Sequence, residues 1–193
     1  RRGRRVARHV ADAGIRRAIY IGSFYPQIRP DLCDKSSYVR GRKLADDGAR
    51  ALSNDRFHVC SINAPFVVGH VPGLIVPGMA AHAGYALGRF AQVPAFAPLG
   101  GVNFISTDSL SDAIVGALER GENGKAYLVG DENLSFQDYF SEYFNAAGHA
   151  GKGPALENDH PFLPNSILYA GAGNTIYYEP DAAELKLLNY RRN

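Results

Sequence analysis

Short apolar runs alternate with amphipathic segments along this chain, and the alternation predicts helices packed on a parallel sheet. Runs rich in strand-forming residues predict strands at 18–21, 57–68, 102–105 and 126–129, the second broken near Pro65. Apolar residues at helical spacing predict helices at 6–14, 37–52, 109–120 and 136–147. Strands and helices in this order are typical of the α/β class.

The remaining segments have weaker patterns. Residues 24–36 hold two prolines and predict a loop. The Ala/Gly/Pro-rich stretch 74–100 predicts a helix and loops that line an apolar pocket. Residues 151–193 are mostly irregular, with a short strand expected at 175–178 and a short helix at 182–188.

Only about four strands are predicted, and the first predicted element is a helix. A doubly wound nucleotide-binding sheet has about six strands and begins with a strand. The pattern therefore predicts only the later part of such a sheet, without its first strands.

Composition narrows the class of protein but does not give a function. The chain has 193 residues, 46% of them hydrophobic and 21% charged, with a net charge of +2. These values are typical of a globular protein and give no reason to expect a nucleic-acid partner. Seven of the 21 lysines and arginines lie within the first 17 residues. A solvated basic helix face is the favoured interpretation there, with phosphate contacts as the alternative.

The sequence also bears on compartment and metals. It has no apolar run of 18 residues and no apolar segment after its basic start, so we expect no membrane span, no secretory signal and a soluble, cytoplasmic protein. The two cysteines and six histidines have no metal-ligand spacing, so we expect reduced thiols and no metal.

The strongest candidate for chemistry is Tyr38 with Arg42, which lie four residues apart on one face of a predicted helix. A cation at that distance favours the tyrosinate form, and such a tyrosine can act as a general acid or base. Tyr25 and Tyr85 also precede an arginine by four residues, but only Tyr38 begins a helix after a strand that ends in Ser23. A half-buried tyrosine without a catalytic role is the alternative.

The order of motifs resembles the extended short-chain dehydrogenases/reductases, the group of NAD-dependent epimerases/dehydratases and 3β-hydroxysteroid dehydrogenases. The resemblance runs from about residue 3 to residue 148. It rests on the segments IYIGS (19–23), SYVRGRKLAD (37–46), NAPFVVG (63–69), VNFISTD (102–108) and AYLVG (126–130).

The resemblance implies an incomplete Rossmann-type doubly wound sheet, N-terminally incomplete, with a small C-terminal substrate lobe. It assigns 1–75 and 101–131 to the Rossmann-type domain, and 76–100 and 132–193 to the lobe. It also implies NAD or NADP as cofactor, a small-molecule substrate and a homodimer.

The same resemblance assigns site residues. Ser23 matches the family's catalytic Ser/Thr, Tyr38 its general acid/base, and Arg42 the position of its lysine. Tyr38 and Arg42 would also bind the cofactor, together with the residues of the strand that passes the nicotinamide: Ala64, Pro65, Phe66 and Val67.

The chain departs from the family pattern at three points. Arg42 replaces the lysine, with Lys43 one residue later; Ser23 and Tyr38 are only 15 residues apart; and no glycine-rich cofactor motif is present. In the family that the chain resembles, nucleotide-sugar members usually carry an arginine directly before the segment that matches 102–105. No basic residue stands there in this chain, so the resemblance implies a small apolar hydroxy or keto substrate over a nucleotide sugar. The predicted activity is an NAD(P)-dependent oxidoreductase. A nucleotide-sugar epimerase/dehydratase and a non-catalytic remnant or binding subunit are the alternatives.

Overall fold

The computed structural model describes residues 13–74, 77–149, 153–163 and 174–192. The chain forms two compact units. The first comprises 1–67, 105–131 and 179–193, and the second comprises 68–104 and 132–178. Most of the helix predicted at 6–14 lies outside the described residues.

The secondary structure alternates as predicted. The strands are β1 (Arg17–Ser23), β2 (His58–Ala64), β3 (Phe66–Val68), β4 (Ala97–Pro98), β5 (Gly101–Ser106), β6 (Ala126–Leu128), β7 (Glu132–Ser135), β8 (Ala155–Leu156) and β9 (Thr175–Ile176). The helices are α1 (Tyr25–Ile28), α2 (Leu32–Lys35), α3 (Ser37–Arg50), α4 (Pro77–Ala86), α5 (Thr107–Arg120), α6 (Phe136–Ala146) and α7 (Ala182–Leu188).

The first unit contains a parallel sheet of three strands in the order β1-β2-β6. Alternate side chains of β2 enter two different cores, because successive residues of a strand point to opposite faces. Cys60 and Ile62 belong to the core that includes Ala113 of α5. Val59 belongs to the core that includes Ala49 of α3. Helices on both faces of a parallel sheet confirm the predicted α/β class.

The second unit is built around β5. This strand pairs antiparallel with β7 and parallel with β9. Helix α6 begins where Ser135 caps it, with the Ser135 hydroxyl accepting the Asp138 amide at 3.0 Å. Helix α6 packs on α4, and β4 pairs with β8.

The loop predicted at 24–36 is instead two single-turn helices, α1 and α2. Pro26 lies in the first turn of α1, where a helix tolerates a missing amide donor. Tyr25 is 1% exposed and Leu32 is 3% exposed. Burial of these side chains therefore holds the two turns in place, although the prolines suggested irregular structure.

The buried side of α3 is not the one that its largest apolar residues suggest. Tyr38 and Leu44 are 45% and 67% exposed. The buried positions are Val39, Asp46 and Ala49, together with Gly48. The helix is thus rotated so that a carboxylate, and not a leucine, lies inside.

Residues 179–193 lie in the first unit, whereas the resemblance assigned them to the lobe. Leu188 and Tyr190 are buried in the core that also contains Ala113 of α5. The Tyr190 hydroxyl accepts the amide of Gly130 at 3.0 Å and donates to its carbonyl oxygen at 3.2 Å. Contacts between residues far apart in sequence therefore decide where this segment lies.

Candidate active site

Strands β1 and β2 end side by side, and this places Ser23 at the carboxyl edge of the sheet. Ser23 lies opposite Ala64 in the parallel register, and Gly22 lies opposite Asn63. The Phe24 amide donates to the Ala64 carbonyl oxygen at 3.2 Å, so the pairing extends past the strand. Ligands of open α/β sheets bind outside this edge.

Gly22 allows a close approach between the two strands. A Cβ atom at this position would lie 3.0 Å from Cγ of Asn63 and still closer to its Oδ1. Asn63 is 1% exposed and donates from Nδ2 to the Ser61 hydroxyl at 3.2 Å. Sequence analysis did not single out Asn63, although a glycine before the strand-terminal serine was a signal of such an approach.

Helix α3 brings Arg42 to the end of β1. The Ser36 hydroxyl caps the helix by accepting the Val39 amide at 3.4 Å. Further along the helix, Nη2 of Arg42 donates to the Gly22 carbonyl oxygen at 3.3 Å. Cζ of Arg42 lies 5.7 Å from the centroid of the Tyr38 ring, within the range of a cation–π contact.

These contacts bring three predicted residues, Ser23, Tyr38 and Arg42, to one region of the first unit. Tyr38 presents its ring to solvent, while Ser23 is only 6% exposed. The arrangement therefore combines a phenol, an aliphatic hydroxyl and a fixed cation.

Lys43 does not reach this region. Its Nζ pairs with Oδ2 of Asp47 at 2.7 Å on the exposed side of α3. Neighbouring helical residues point about 100° apart, so only one of the two cations can face the end of β1. Arg42 is the one that does.

The site has hydrogen-bonding capacity that its own residues do not use. Nε of Arg42 is buried and has no partner among the described residues. An unused donor on a fixed cation fits a group rich in acceptor oxygens, such as the ribose of a dinucleotide.

The segment after β2 supplies an apolar surface. Ala64 and Pro65 are buried, Phe66 is half-buried, and Val67 is 37% exposed. The break at Pro65 separates β2 from β3, as the sequence predicted. These four residues were predicted to contact the cofactor, and their apolar atoms suit contact with a planar ring.

Asp46 is only 7% exposed, although aspartates usually lie in contact with solvent. Arg50 holds its carboxylate, with Nε 3.1 Å from Oδ1 and Nη2 3.2 Å from Oδ2. Nη1 of Arg50 also donates to the Gly124 carbonyl oxygen at 3.1 Å. The spacing of four residues between Asp46 and Arg50 was the signal that could have found this pair.

Two kinds of feature are absent from the described ranges. No group of three or more His, Cys, Asp or Glu side chains there could hold a metal ion. No helix there is long and apolar enough to cross a membrane.

No protein-family model matches the chain, and no curated protein matches it by sequence. Solved structures do. WbmG of Bordetella bronchiseptica in complex with NAD matches over 99% of this chain and 58% of its own, with a TM-score of 0.70 at 15% identity. The chain therefore has a Rossmann-type fold.

Two further structures agree in fold. A nucleoside-diphosphate-sugar epimerase from Pseudomonas aeruginosa covers 77% of this chain, with a TM-score of 0.61 at 23% identity. UDP-glucose 4-epimerase of Thermus thermophilus, solved with NAD, covers 98%, with a TM-score of 0.64 at 17% identity. The Rossmann-type chain spans 52% and 63% of the lengths of these two proteins.

Proposed function

We propose that the first unit carries the catalytic face of an NAD(P)-dependent enzyme of the extended short-chain dehydrogenase/reductase family. The enzyme acts on a hydroxyl or keto carbon of a small substrate. The observation that carries this proposal is the contact of Arg42 with Gly22, next to Ser23, while Tyr38 stacks on the same guanidinium. The similar structures solved with NAD support the choice of cofactor.

In this proposal each residue has one task. Ser23 donates a hydrogen bond to the substrate oxygen from the end of β1. Tyr38 accepts the proton of a substrate hydroxyl at its phenolic oxygen, or returns it to a carbonyl oxygen in the reverse direction. Arg42 binds ribose hydroxyls and keeps a positive charge beside Tyr38. A bound nicotinamide supplies the hydride acceptor or donor.

Arg42 differs from a lysine at the same position in one respect that matters for the mechanism. A guanidinium stays protonated in proteins, so Arg42 acts by charge and hydrogen bonding and does not relay a proton. Proton exchange between Tyr38 and solvent then proceeds directly, which the exposure of its ring permits.

The residues before β5 support the proposed substrate class. Pro98, Leu99, Gly100 and Gly101 offer no cation for a diphosphate, and this favours a small apolar hydroxy or keto compound. The alternative is a redox-neutral epimerase or dehydratase, and the names of the similar structures favour it. The two differ in whether NADH or NADPH accumulates during turnover.

The first test is titration of the purified protein with NADH and NADPH. We expect Arg42→Gln to weaken cofactor binding by about tenfold, the loss of a charge-assisted hydrogen bond. Lys43→Gln is the matched control, because its cation faces Asp47, and its affinity should equal that of the wild type. Equal affinities for Arg42→Gln and the wild type would contradict the proposed role of Arg42. Absence of cofactor binding by the wild type would contradict the proposed enzyme and leave the alternative, a non-catalytic remnant or binding subunit.

The second test is the Tyr38→Phe substitution, assayed by NADH or NADPH formation with a panel of small alcohols. Loss of a general acid/base lowers turnover by at least ~100-fold. Tyr177→Phe removes a hydroxyl from another exposed tyrosine and should leave turnover unchanged. Turnover of Tyr38→Phe close to that of the wild type would refute the acid/base role.

A further inference from the structure

The second unit contains a cavity of about 370 Å³ between the end of α4 and the end of α6. Aromatic and small side chains line it, with one imidazole among them. The residues that matter for the argument are Tyr85, Phe90, Ala91, Ala95, Phe144 and His149. Small-molecule sites in proteins measure roughly 300–1,000 Å³, so the cavity has the size of a site for a small ligand.

The aromatic walls are fixed before any ligand binds. The Tyr85 hydroxyl lies 2.7 Å from the Pro94 carbonyl oxygen and accepts the Phe96 amide at 2.7 Å. Its ring meets the Phe144 ring edge-on, with centroids 5.3 Å apart. Phe90 packs on Phe162 with centroids 4.7 Å apart. Preorganised rings cost little ordering entropy on binding.

The space between these rings stays open because the other lining positions are small. Ala91 and Ala95 line it from the loop after α4, and Gly153 lines it from the chain after α6. Gly88 turns the chain there with φ of 71°, a conformation that favours glycine. No side chain of the described lining residues fills the cavity.

Basic side chains lie at this cavity and next to it. His149 lies at its exposed rim, with its ring 6.3 Å from that of Phe144. Arg89 stands between the lining residues Gly88 and Phe90 and is exposed. No Asp or Glu lines the cavity among the described residues. An apolar body with one anionic or acceptor group fits this distribution of charge.

We propose that this cavity binds a small aromatic or alicyclic carboxylate, with its ring between Tyr85, Phe90 and Phe144 and its carboxylate toward His149. The site lies within the second unit and uses none of the proposed catalytic residues. It therefore stands independently of the proposed function.

The test uses 2-naphthoate as the probe. The chain has no tryptophan, so naphthoate fluorescence can be followed without indole emission. We expect saturable binding of one equivalent to the wild-type protein. Ala91→Leu places three more carbon atoms in the cavity and should weaken binding by about tenfold or more, since binding and filling the space exclude each other. Ala91 is exposed, so this change leaves the core of the unit intact.

Two further variants make the result specific. Ala183→Leu changes an exposed alanine of the first unit in the same way and should bind 2-naphthoate like the wild type. His149→Gln should weaken 2-naphthoate binding several-fold and leave 2-naphthol binding nearly unchanged. Absence of saturable binding, or equal affinities for the wild type and Ala91→Leu, would overturn the proposed site. Equal losses for both probes in His149→Gln would overturn the role of the carboxylate.

Discussion

Among the glycines of the first unit, Gly116 is the one where an added methyl group should lower the free energy of unfolding most. It lies in α5 against the end of α7, and the fully buried Leu188 is its neighbour. A Cβ atom added at Gly116 would lie 2.6 Å from the carbonyl carbon of Leu188 and 2.9 Å from Nη2 of Arg120. Carbon atoms make contact at about 3.5–4.0 Å, so the end of α7 would have to move by about 1 Å.

The cost of this movement can be worked out from the contacts it disturbs. Overpacking of a core costs about 1–3 kcal/mol. Arg120 donates to the carbonyl oxygens of Leu187 at 2.7 Å and Leu188 at 3.0 Å. Loss of one such charged hydrogen bond costs about 1.5–3 kcal/mol. Replacing glycine by alanine in a helix returns about 1 kcal/mol. The free energy of unfolding should therefore fall by about 3 kcal/mol in Gly116→Ala.

The assay is urea unfolding followed by circular dichroism. With a urea dependence of ~2 kcal/mol per molar, the midpoint should fall by about 1.5 M. Gly41→Ala is the matched control, because Gly41 is an exposed glycine of α3 with no atom within 4 Å of an added Cβ. Its midpoint should rise slightly, by the helix propensity alone. If Gly116→Ala rises with it, the packing of α7 on α5 described above is wrong.

Three other perturbations follow from buried polar groups. Arg50→Met leaves the carboxylate of Asp46 without its partner and should lower the free energy of unfolding by about 3 kcal/mol in urea unfolding. Burial, with a smaller effect of nearby His82, lowers the pKa of His160 from 6.5 to about 4. Below about pH 6.5 the His160 imidazole is therefore protonated in the unfolded chain but not in the folded protein. The free energy of unfolding should fall by roughly 3 kcal/mol as pH drops from about 6.5 to about 4. Burial raises the pKa of the Cys60 thiol, so a disulfide reagent should modify Cys60 only after unfolding.

Each of these has a control in the same chain. Lys43→Met breaks an exposed ion pair and should cost less than ~1 kcal/mol; an equal loss in both variants would contradict the burial of Asp46. His160→Phe keeps the stacking on Phe140 and should not lose stability in this way. The difference in free energy of unfolding between the wild type and this variant should therefore change between about pH 6.5 and about pH 4. A difference that stays constant with pH would show that His160 is not the titrating group. In the Cys33→Ser variant Cys60 is the remaining thiol, so the native variant should not react with the disulfide reagent.

Local pattern was sufficient for most of the elements. Helix α7 lies at the predicted residues 182–188, and α6 begins at the predicted residue Phe136. The break at Pro65 also appears where the proline predicted it. Spacing of apolar residues, caps and prolines acts within a few residues, so the sequence records it directly.

The candidate site was predicted only in part. The structure brings Arg42 to the Gly22 carbonyl oxygen beside Ser23, as the order of strand, serine and helix had indicated. The exposure of Tyr38 was not predicted, since helical spacing alone cannot tell which face of α3 meets the sheet. The spacing of four residues from Tyr38 selected Arg42 over Lys43, but it could not show that Arg42 reaches the Gly22 carbonyl oxygen, which depends on the rotation of the helix about its axis.

The sequence by itself determined the α/β class, the approximate bounds of its main helices and strands, and the residues proposed for the candidate site. Only the tertiary structure decided that Asp46 lies inside with Arg50, that the C-terminal segment joins the first unit through Leu188 and Tyr190, and that Arg42 contacts the Gly22 carbonyl oxygen at the end of β1. The physical reason is the range of the interactions. Hydrogen bonds within a helix or turn join near neighbours in sequence, whereas burial joins residues that only the folded chain brings together.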